Sequence, residues 1–343
     1  MILNIVIKKT NERKHHRKGD VMRKKNTRIV VIGGGTGLST VLRGLKNHSF
    51  DITAIVTVAD DGGSSGRLRD DYNIPPPGDV RNVIAALSDV EPLVEKMFQY
   101  RFSHSNDLDG HSLGNLMLTA LTDITGDFSY AIAEMSKVLN VHGKVIPAAN
   151  KKVTLHAELQ DGTFIEGESR IPAATAPIKR VFLTPRNVQP LPTAINAITK
   201  ADVILIGPGS LYTSIIPNLL VKEIGEAVVK AKAKKIYICN LMTQRGETVN
   251  YKASQHVQAI HDHVGMPFIE AILINKDELP QNIMASYKEE NAEPVQFDID
   301  HLQALNLEIY KEEIAMIKNG TVRHHTGNVA DWLCHYTKQL KKE

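Results

Sequence analysis

The stretch RIVVIGGGTGLSTVLRGL, which runs from Arg28 to Leu45, has the pattern of a buried strand, a glycine turn and a helix. Helices cover both faces of a parallel strand, so such strands are continuous runs of Val and Ile, as residues 29–32 are. The turn consists of Gly33, Gly34, Gly35, Thr36 and Gly37. Glycines let the backbone approach a ligand closely, and the amides and dipole of the following helix favour an anion. We therefore predict that a phosphate binds at this turn.

The spacing of these glycines matches neither common nucleotide-binding motif. Leu38 stands where the third glycine of a dinucleotide motif would follow, and no Gly-Lys-Ser/Thr closes a Walker loop. The pattern therefore disfavours NAD as a redox cofactor, and with it a nicotinamide dehydrogenase. A turn that serves only to pack a helix on a sheet remains the alternative.

The composition is that of a globular protein from a reducing compartment. Of the 343 residues 42% are hydrophobic, and two cysteines are too few for a disulfide framework, which favours the cytoplasm. No apolar run reaches the roughly 18 residues that a membrane span requires.

The positive charge is concentrated at the amino end. Residues 1–28 hold ten Lys and Arg against two acids, which leaves 31 against 36 for residues 29–343. We expect residues 1–27 to be a basic, disordered N-terminal extension. The mildly acidic remainder lacks the electrostatic signature of a specific nucleic-acid-binding protein.

A polar segment, DDGGSSGRLRDD at residues 60–71, follows a second β-branched strand at residues 52–59. Open α/β sheets bind ligands at the carboxyl ends of their strands, so we expect a ligand-binding loop here. Asp60 and Asp61 could take a ribose, an acceptor hydroxyl or Mg²⁺, and Arg67 a phosphate. The other candidates in this loop are Gly62, Gly63 and Ser64. A flexible, solvated loop is the alternative.

Two later segments add polar candidates. In PPPGDVRN, residues 75–82, Asp79 either caps the next helix or contacts the ligand, and Asn82 could face the same phosphate. In FSHSNDLDGHSLGNL, residues 102–116, His111 and Asn115 are candidates for contacts to a sugar or phosphate. The alternative is a solvated loop with a helix cap at its end. The His-x-x-x-His spacing of a helical zinc site is missing.

The middle of the chain has β character. A short strand at 144–149 precedes the alternating runs at 153–159 and 164–170, which are joined across an Asp-Gly turn that is typical of a hairpin. We expect this part to be an excursion from the main sheet, to which VFLTP at 181–185 returns.

A second glycine turn, GPGSLYTS at residues 207–214, follows another buried strand. Two such turns from different βα units can line one crevice, so Gly207, Gly209 and Ser210 are candidates for the same site. Asn240 and Thr243 follow the next strand and offer amide and hydroxyl groups to a base or sugar. A purely structural turn would also explain the two glycines.

The carboxyl third contributes an aromatic and a basic candidate. Tyr287, in a short helix at 282–291, could stack on a base, and Arg323, just before the final helix, suits a diphosphate. A core-facing tyrosine and an exposed basic turn are the competing interpretation. Thr326 and Asn328 are expected to cap the final helix, and Thr326 is a candidate phosphorylation site.

Together these motifs resemble the CofD-like family of 2-phospho-L-lactate transferase-like proteins, and most closely its gluconeogenesis-factor branch. The resemblance covers residues 28–336 and rests on GGGTGLS (33–39), ADDGGSSGRLR (59–69), PPPGDVRN (75–82), HSLGNL (111–116), IGPGSLYTS (206–214) and CNLMTQ (239–244).

The resemblance implies an α/β, Rossmann-like fold: a mostly parallel sheet with helices on both faces and a small β-hairpin excursion. Residues 28–336 would form a single domain with a β insertion at about 144–170, and residues 337–343 would be a basic tail.

The two branches of the family differ in what they do. The transferase members move a phospholactyl group from a guanosine-linked donor to a deazaflavin alcohol, with magnesium. The gluconeogenesis-factor branch binds UDP-sugars such as UDP-N-acetylglucosamine and is linked to cell shape and cell-wall synthesis on gluconeogenic carbon sources, without a settled catalytic activity.

The resemblance therefore implies a non-catalytic, UDP-sugar-binding regulator. The alternative is a magnesium-dependent transferase in which Asp60 or Asp61 is catalytic or holds the metal. The expected partners are a nucleotide sugar, a cell-wall synthesis protein or kinase, and a second copy of the chain in a homo-oligomer.

Overall fold

The computed structural model describes residues 26–104, 107–289 and 291–341. Most of the expected N-terminal extension and the last two residues of the expected basic tail lie outside the described residues. No helix within these ranges has the length and apolar character to cross a membrane.

The strands form one large parallel sheet and two small antiparallel ones. They are β1 (Thr27–Gly33), β2 (Phe50–Val56), β3 (Lys144–Pro147), β4 (Thr154–Leu159), β5 (Phe164–Glu166), β6 (Ile178–Thr184), β7 (Val203–Ile206), β8 (Lys234–Ile238), β9 (Ala271–Asn275), β10 (Glu308–Glu312), β11 (Ala315–Lys318) and β12 (Thr321–His324). The seven-stranded sheet has the order β10-β9-β8-β7-β1-β2-β3, and all its pairs are parallel.

The helices lie around this sheet, which confirms the predicted Rossmann-like α/β class. They are α1 (Gly35–Leu45), α2 (Gly63–Asp71), α3 (Gly78–Leu87), α4 (Pro92–Gln99), α5 (Leu113–Thr125), α6 (Phe128–Val138), α7 (Pro192–Lys200), α8 (Ile216–Leu219), α9 (Lys222–Lys230), α10 (Ala253–Val264), α11 (Gln281–Glu289), α12 (Ile299–Ala304) and α13 (Thr326–Leu340). A 3₁₀ helix spans Glu168–Ala173 and a π-helical turn spans Leu211–Ile215.

The order of the strands reverses between β1 and β7. From β1 the sheet grows in one direction through β2 and β3, and in the other through β7, β8, β9 and β10. In open parallel sheets the crevice at such a switch point, outside the carboxyl ends of the strands, is where ligands bind. The residues of β1 between Ile29 and Ile32 are at most 2% exposed, so this strand lies in the close-packed core directly beneath the crevice.

The antiparallel β excursion begins later and ends later along the chain than residues 144–170, where it was expected. β3 is the edge strand of the main sheet, parallel to β2, and β6 pairs with β4 instead of returning to the main sheet. The antiparallel sheet therefore has the order β5-β4-β6 and extends over residues 154–184. The alternating pattern of β6 fits both sheets, so only its cross-strand partners decide between them.

The polar segment at residues 60–71 is a helix for most of its length, and the prediction of a loop was wrong. α2 begins at Gly63 and buries Ser64, Ser65, Leu68 and Arg69. Glycine, serine and aspartate have low helix propensity, but tertiary contacts override that preference when a helix can bury one of its faces.

Candidate ligand-binding site

A cavity of about 770 Å³ lies at the carboxyl ends of β1, β7 and β8, beside the switch point of the sheet. Its volume is within the range of about 300–1,000 Å³ that small-molecule sites occupy. The structure brings ten of the predicted residues into its lining: Gly34, Gly35, Thr36, Gly37, Gly209, Ser210, Asn240, Thr243, Tyr287 and Arg323.

The two glycine turns touch each other across this cavity. A Cβ atom on Gly37 would lie 3.1 Å from the carbonyl oxygen of Pro208 and 3.2 Å from the amide nitrogen of Gly209. Gly207, with φ of +80°, shapes the second turn from below, and Gly33 packs against it. Close approach of two backbones is the reason for glycine here.

The amino end of α1 is held by a carboxylate from outside the helix. No side chain of the helix itself caps it, and the Ser39 hydroxyl donates to the carbonyl of Gly35. Instead, the carboxylate of Asp79 accepts from the amide of Gly35. Asp79 does not cap α3 either, because that helix begins at Gly78. Asp79 thus supports the glycine turn from behind.

Asn240 and Thr243 form the wall of the cavity through bonds within the protein. Asn240 Nδ2 donates to the carbonyl of Gly209 at 2.8 Å, and its Oδ1 accepts from the hydroxyl of Tyr237 at 2.8 Å. Thr243 exchanges two bonds with Glu293, at 2.7 and 2.9 Å. Their polar atoms therefore fix the second glycine turn and the loop after β8.

The hairpin β11–β12 brings Arg323 to the cavity. His324 Nε2 lies 3.0 Å from the carbonyl oxygen of Cys239 and donates to it, because that oxygen can only accept. Burial lowers the pKa of His324 to about 4. The hydroxyl of Tyr287 accepts from the amide of Val322 at 2.8 Å, which joins α11 to the hairpin. Arg323 is nevertheless exposed, and Tyr287 packs half-buried against the hydrophobic core, so these two residues also fit the competing interpretation of an exposed basic turn and a core-facing tyrosine.

A group of half-buried carboxylates lies behind the first glycine turn: Asp60, Asp79 and Glu168. Burial, and then the charge of Asp60, raise the pKa of Asp79 to about 7, although the Gly35 amide and Arg81 lower it. Burial and the neighbouring acids raise the pKa of Glu168 to about 8. Glu168 follows β5 in a stretch that the sequence pattern predicts to be a strand, and no local motif marks it as a site residue.

The remaining candidates lie outside the cavity lining. Ser64 Oγ is 3.0 Å from His111 Nδ1 and accepts from Asn115 Nδ2 at 3.1 Å, and these three side chains are buried together. Asn82 accepts from Arg81 at 2.7 Å. Three more candidates lie around the start of α2: Asp61, Gly62 and Gly63. The carboxylate of Asp61 accepts from the amide of Ser169. Arg67 is exposed and donates to the carbonyl of Asp109.

Two helix caps can be compared with the expectations. The Ser112 side chain accepts from the amide of Asn115, so Ser112 is the helix cap that the alternative interpretation of residues 102–116 included. The cap of α13 is His325, which accepts from the amide of Asn328, so the prediction of Thr326 and Asn328 as caps was wrong. Thr326 is the first residue of the helix, and its phosphorylation stays a prediction.

The described ranges contain no group of three or more His, Cys, Asp or Glu side chains placed to hold a metal ion. One oxygen of the Asp60 carboxylate accepts from the Gly62 amide at 2.9 Å, and one oxygen of Asp61 accepts from the Ser169 amide at 2.8 Å.

Asp79 predicts a pH dependence of anion binding at the first glycine turn. An anion there favours the neutral carboxyl, so binding takes up a proton and the affinity falls as the pH rises from about 6 to about 8. Titration calorimetry with UDP-N-acetylglucosamine, in buffers of different ionisation enthalpy, measures this uptake. In Asp79→Asn the fall around pH 7 disappears, and only the contribution of Glu168 at higher pH persists. An affinity of the unaltered protein that is constant over this range would contradict the prediction.

Comparison with known proteins gives consistent matches over most of the chain. The family model described as 2-phospho-L-lactate transferase CofD matches residues 29–315. A gluconeogenesis factor of Bacillus subtilis is 60% identical over 312 residues, which are 91% of this chain and 98% of that protein. A gluconeogenesis factor of Halalkalibacterium halodurans is 56% identical over 310 residues, 90% of this chain and 96% of that protein.

A solved structure has the same fold. The crystal structure of a protein from Bacillus halodurans superimposes with a TM-score of 0.89 at 55% sequence identity, and the match covers 90% of this chain and 100% of that one.

Proposed function

Because the chain belongs to the CofD family, in the branch of the gluconeogenesis factors, we propose that it is a cytosolic regulator that binds a UDP-sugar. Its ligand on this proposal is UDP-N-acetylglucosamine or a close relative. Its role is that of a gluconeogenesis factor needed for cell shape and cell-wall synthesis under gluconeogenic growth.

The observation that carries the proposal is the cavity in which two glycine turns, Tyr287 and Arg323 come together. Backbone amides at the turns and the dipole of α1 suit a diphosphate, and a guanidinium adds the charge-assisted hydrogen bonds that phosphates favour. The ring of Tyr287 offers an apolar face to a base or sugar.

The same contacts suggest how the ligand acts on the rest of the protein. Tyr287 lies in α11 and Arg323 in β12, and the bond between Tyr287 and Val322 joins the two elements at the rim of the cavity. A ligand that binds better when both elements are docked shifts the protein towards that state. On this proposal a cell-wall synthesis protein or a kinase recognises the docked surface, and the protein works as a homo-oligomer.

Replacing Arg323 with Ala tests the proposal. Loss of a charge-assisted hydrogen bond costs about 1.5–3 kcal/mol, so we expect the dissociation constant for UDP-N-acetylglucosamine to rise roughly ten- to a hundredfold. Arg43→Ala is the matched control, since Arg43 is an exposed arginine at the other end of α1. Equal affinities of the two variants in titration calorimetry would rule out a diphosphate beside Arg323.

A magnesium-dependent transferase is the second candidate, and the half-buried carboxylates Asp60, Asp79 and Glu168 favour it. Their raised pKa values mean that a cation beside them would be stabilised. Mass analysis after incubation with a guanosine-linked donor, an acceptor alcohol and Mg²⁺ tests it. A product that Asp60→Asn fails to form would support the transferase, and an unchanged mixture would count against it.

A further inference from the structure

We propose that Gln244 is a positioning residue that holds the hydroxyl of Ser210 as a hydrogen-bond donor to the phosphates of the nucleotide sugar. The inference rests on the proposed function and assigns a role within the same cavity, whose lining includes both residues.

The bond between the two side chains sets the direction of the Ser210 hydroxyl. Gln244 Nε2 donates to Ser210 Oγ at 2.9 Å. The hydroxyl oxygen is then an acceptor on that side, so its hydrogen points elsewhere. Ser210 directly follows Gly209, whose amide lies against the first glycine turn, so an anion held there is the acceptor that this hydrogen can meet.

Hydrogen bonds to Thr248 hold the backbone of Gln244, whereas the side-chain amide of Gln244 bonds to Ser210. The Gln244 amide nitrogen donates to Thr248 Oγ1 at 2.9 Å, and the Thr248 nitrogen donates back to the Gln244 carbonyl at 2.9 Å. In contrast, Oε1 of Gln244 is shielded from solvent and has no hydrogen-bond partner in the described part of the chain. The bond to Ser210 is therefore what orients the side-chain amide.

The neighbouring polar side chains hydrogen-bond to other parts of the wall. Asn240 bonds to Gly209 and Tyr237, and Thr243 Oγ1 accepts from the amide of Glu293 while it keeps its own hydrogen. Contacts of Asn240 and Thr243 to the ligand stay a prediction. Ser210 differs from both in that it directly follows Gly209 and accepts a hydrogen bond from a side chain, Gln244, that also lines the cavity.

A double-mutant cycle tests the inference, with UDP-N-acetylglucosamine as the titrant in calorimetry. We expect Ser210→Ala to weaken binding roughly tenfold, as loss of a hydrogen bond to a charged group does. Gln244→Met keeps the length of the side chain and removes the amide, and we expect it to weaken binding about fivefold. In the Ser210→Ala background, Gln244→Met should have no further effect, because Gln244 acts only through the hydroxyl.

The controls separate this role from a structural one. Gln258→Met is the matched substitution on the exposed face of α10, where Gln258 pairs with Asp262, and it should leave the affinity unchanged. If Gln244 only packs the wall, the losses from Ser210→Ala and Gln244→Met multiply in the double variant, and the inference is overturned while the proposed function stands. If the unaltered protein does not bind the UDP-sugar, the proposed function fails and the inference fails with it.

Discussion

Gly34→Ala should abolish most of the binding of UDP-N-acetylglucosamine. The added Cβ atom would lie 2.5 Å from Asp79 Oδ2 and 2.5 Å from Thr57 Cγ2. Such contacts cannot be accommodated without moving the glycine turn, and overpacking of this kind costs about 1–3 kcal/mol. Because the turn itself is the predicted phosphate site, we expect a roughly hundredfold loss of affinity in titration calorimetry.

The second glycine at which a large effect is expected is Gly44, where α1 crosses α13. A Cβ atom there would lie 2.0 Å from the carbonyl oxygen of Thr326 and 3.1 Å from the Cβ of Ala330. The helices must separate to admit it, so we expect Gly44→Ala to lower the free energy of unfolding by about 3 kcal/mol. Denaturant titration, followed by circular dichroism, measures this change as a lower midpoint.

Gly327→Ala is the control for both substitutions, because it adds the same methyl group at a glycine that has room for it. A Cβ atom on Gly327, in the first turn of α13, would meet its nearest neighbour, in the ring of His325, at 3.5 Å. This is ordinary van der Waals contact, so Gly327→Ala should keep the affinity and alter stability by less than about 1 kcal/mol. Wild-type affinity in Gly34→Ala, or a wild-type midpoint in Gly44→Ala, would contradict the close packing described for these sites.

The sequence predicts the parts of the site that lie within a single local motif. The Val and Ile run of β1 and the glycines after it predict a buried strand and an anion-binding turn, and the second turn after β7 repeats the pattern. Both turns follow parallel strands, so topology alone places them at one edge of the sheet. The sequence alone therefore predicts that the two glycine turns line one cavity.

The rest of the site depends on contacts between distant segments. Tyr287 and Arg323 reach the cavity because His324 bonds to the carbonyl of Cys239 and Tyr287 to the amide of Val322, and no local pattern encodes those bonds. In α2 the polar composition was misleading, because burial of one face overrides low helix propensity. The hydrogen bond from Asn240 to the carbonyl of Gly209 likewise joins two segments that no local pattern relates.

The central claim is that the cavity binds a UDP-sugar and does not turn it over. Titration calorimetry with UDP-N-acetylglucosamine, GDP and NAD, with and without Mg²⁺, followed by mass analysis of each mixture, tests it most directly. The account predicts saturable binding of the UDP-sugar, weaker binding of GDP and NAD, and no product. Preference for GDP, or a cleaved nucleotide sugar, would contradict it.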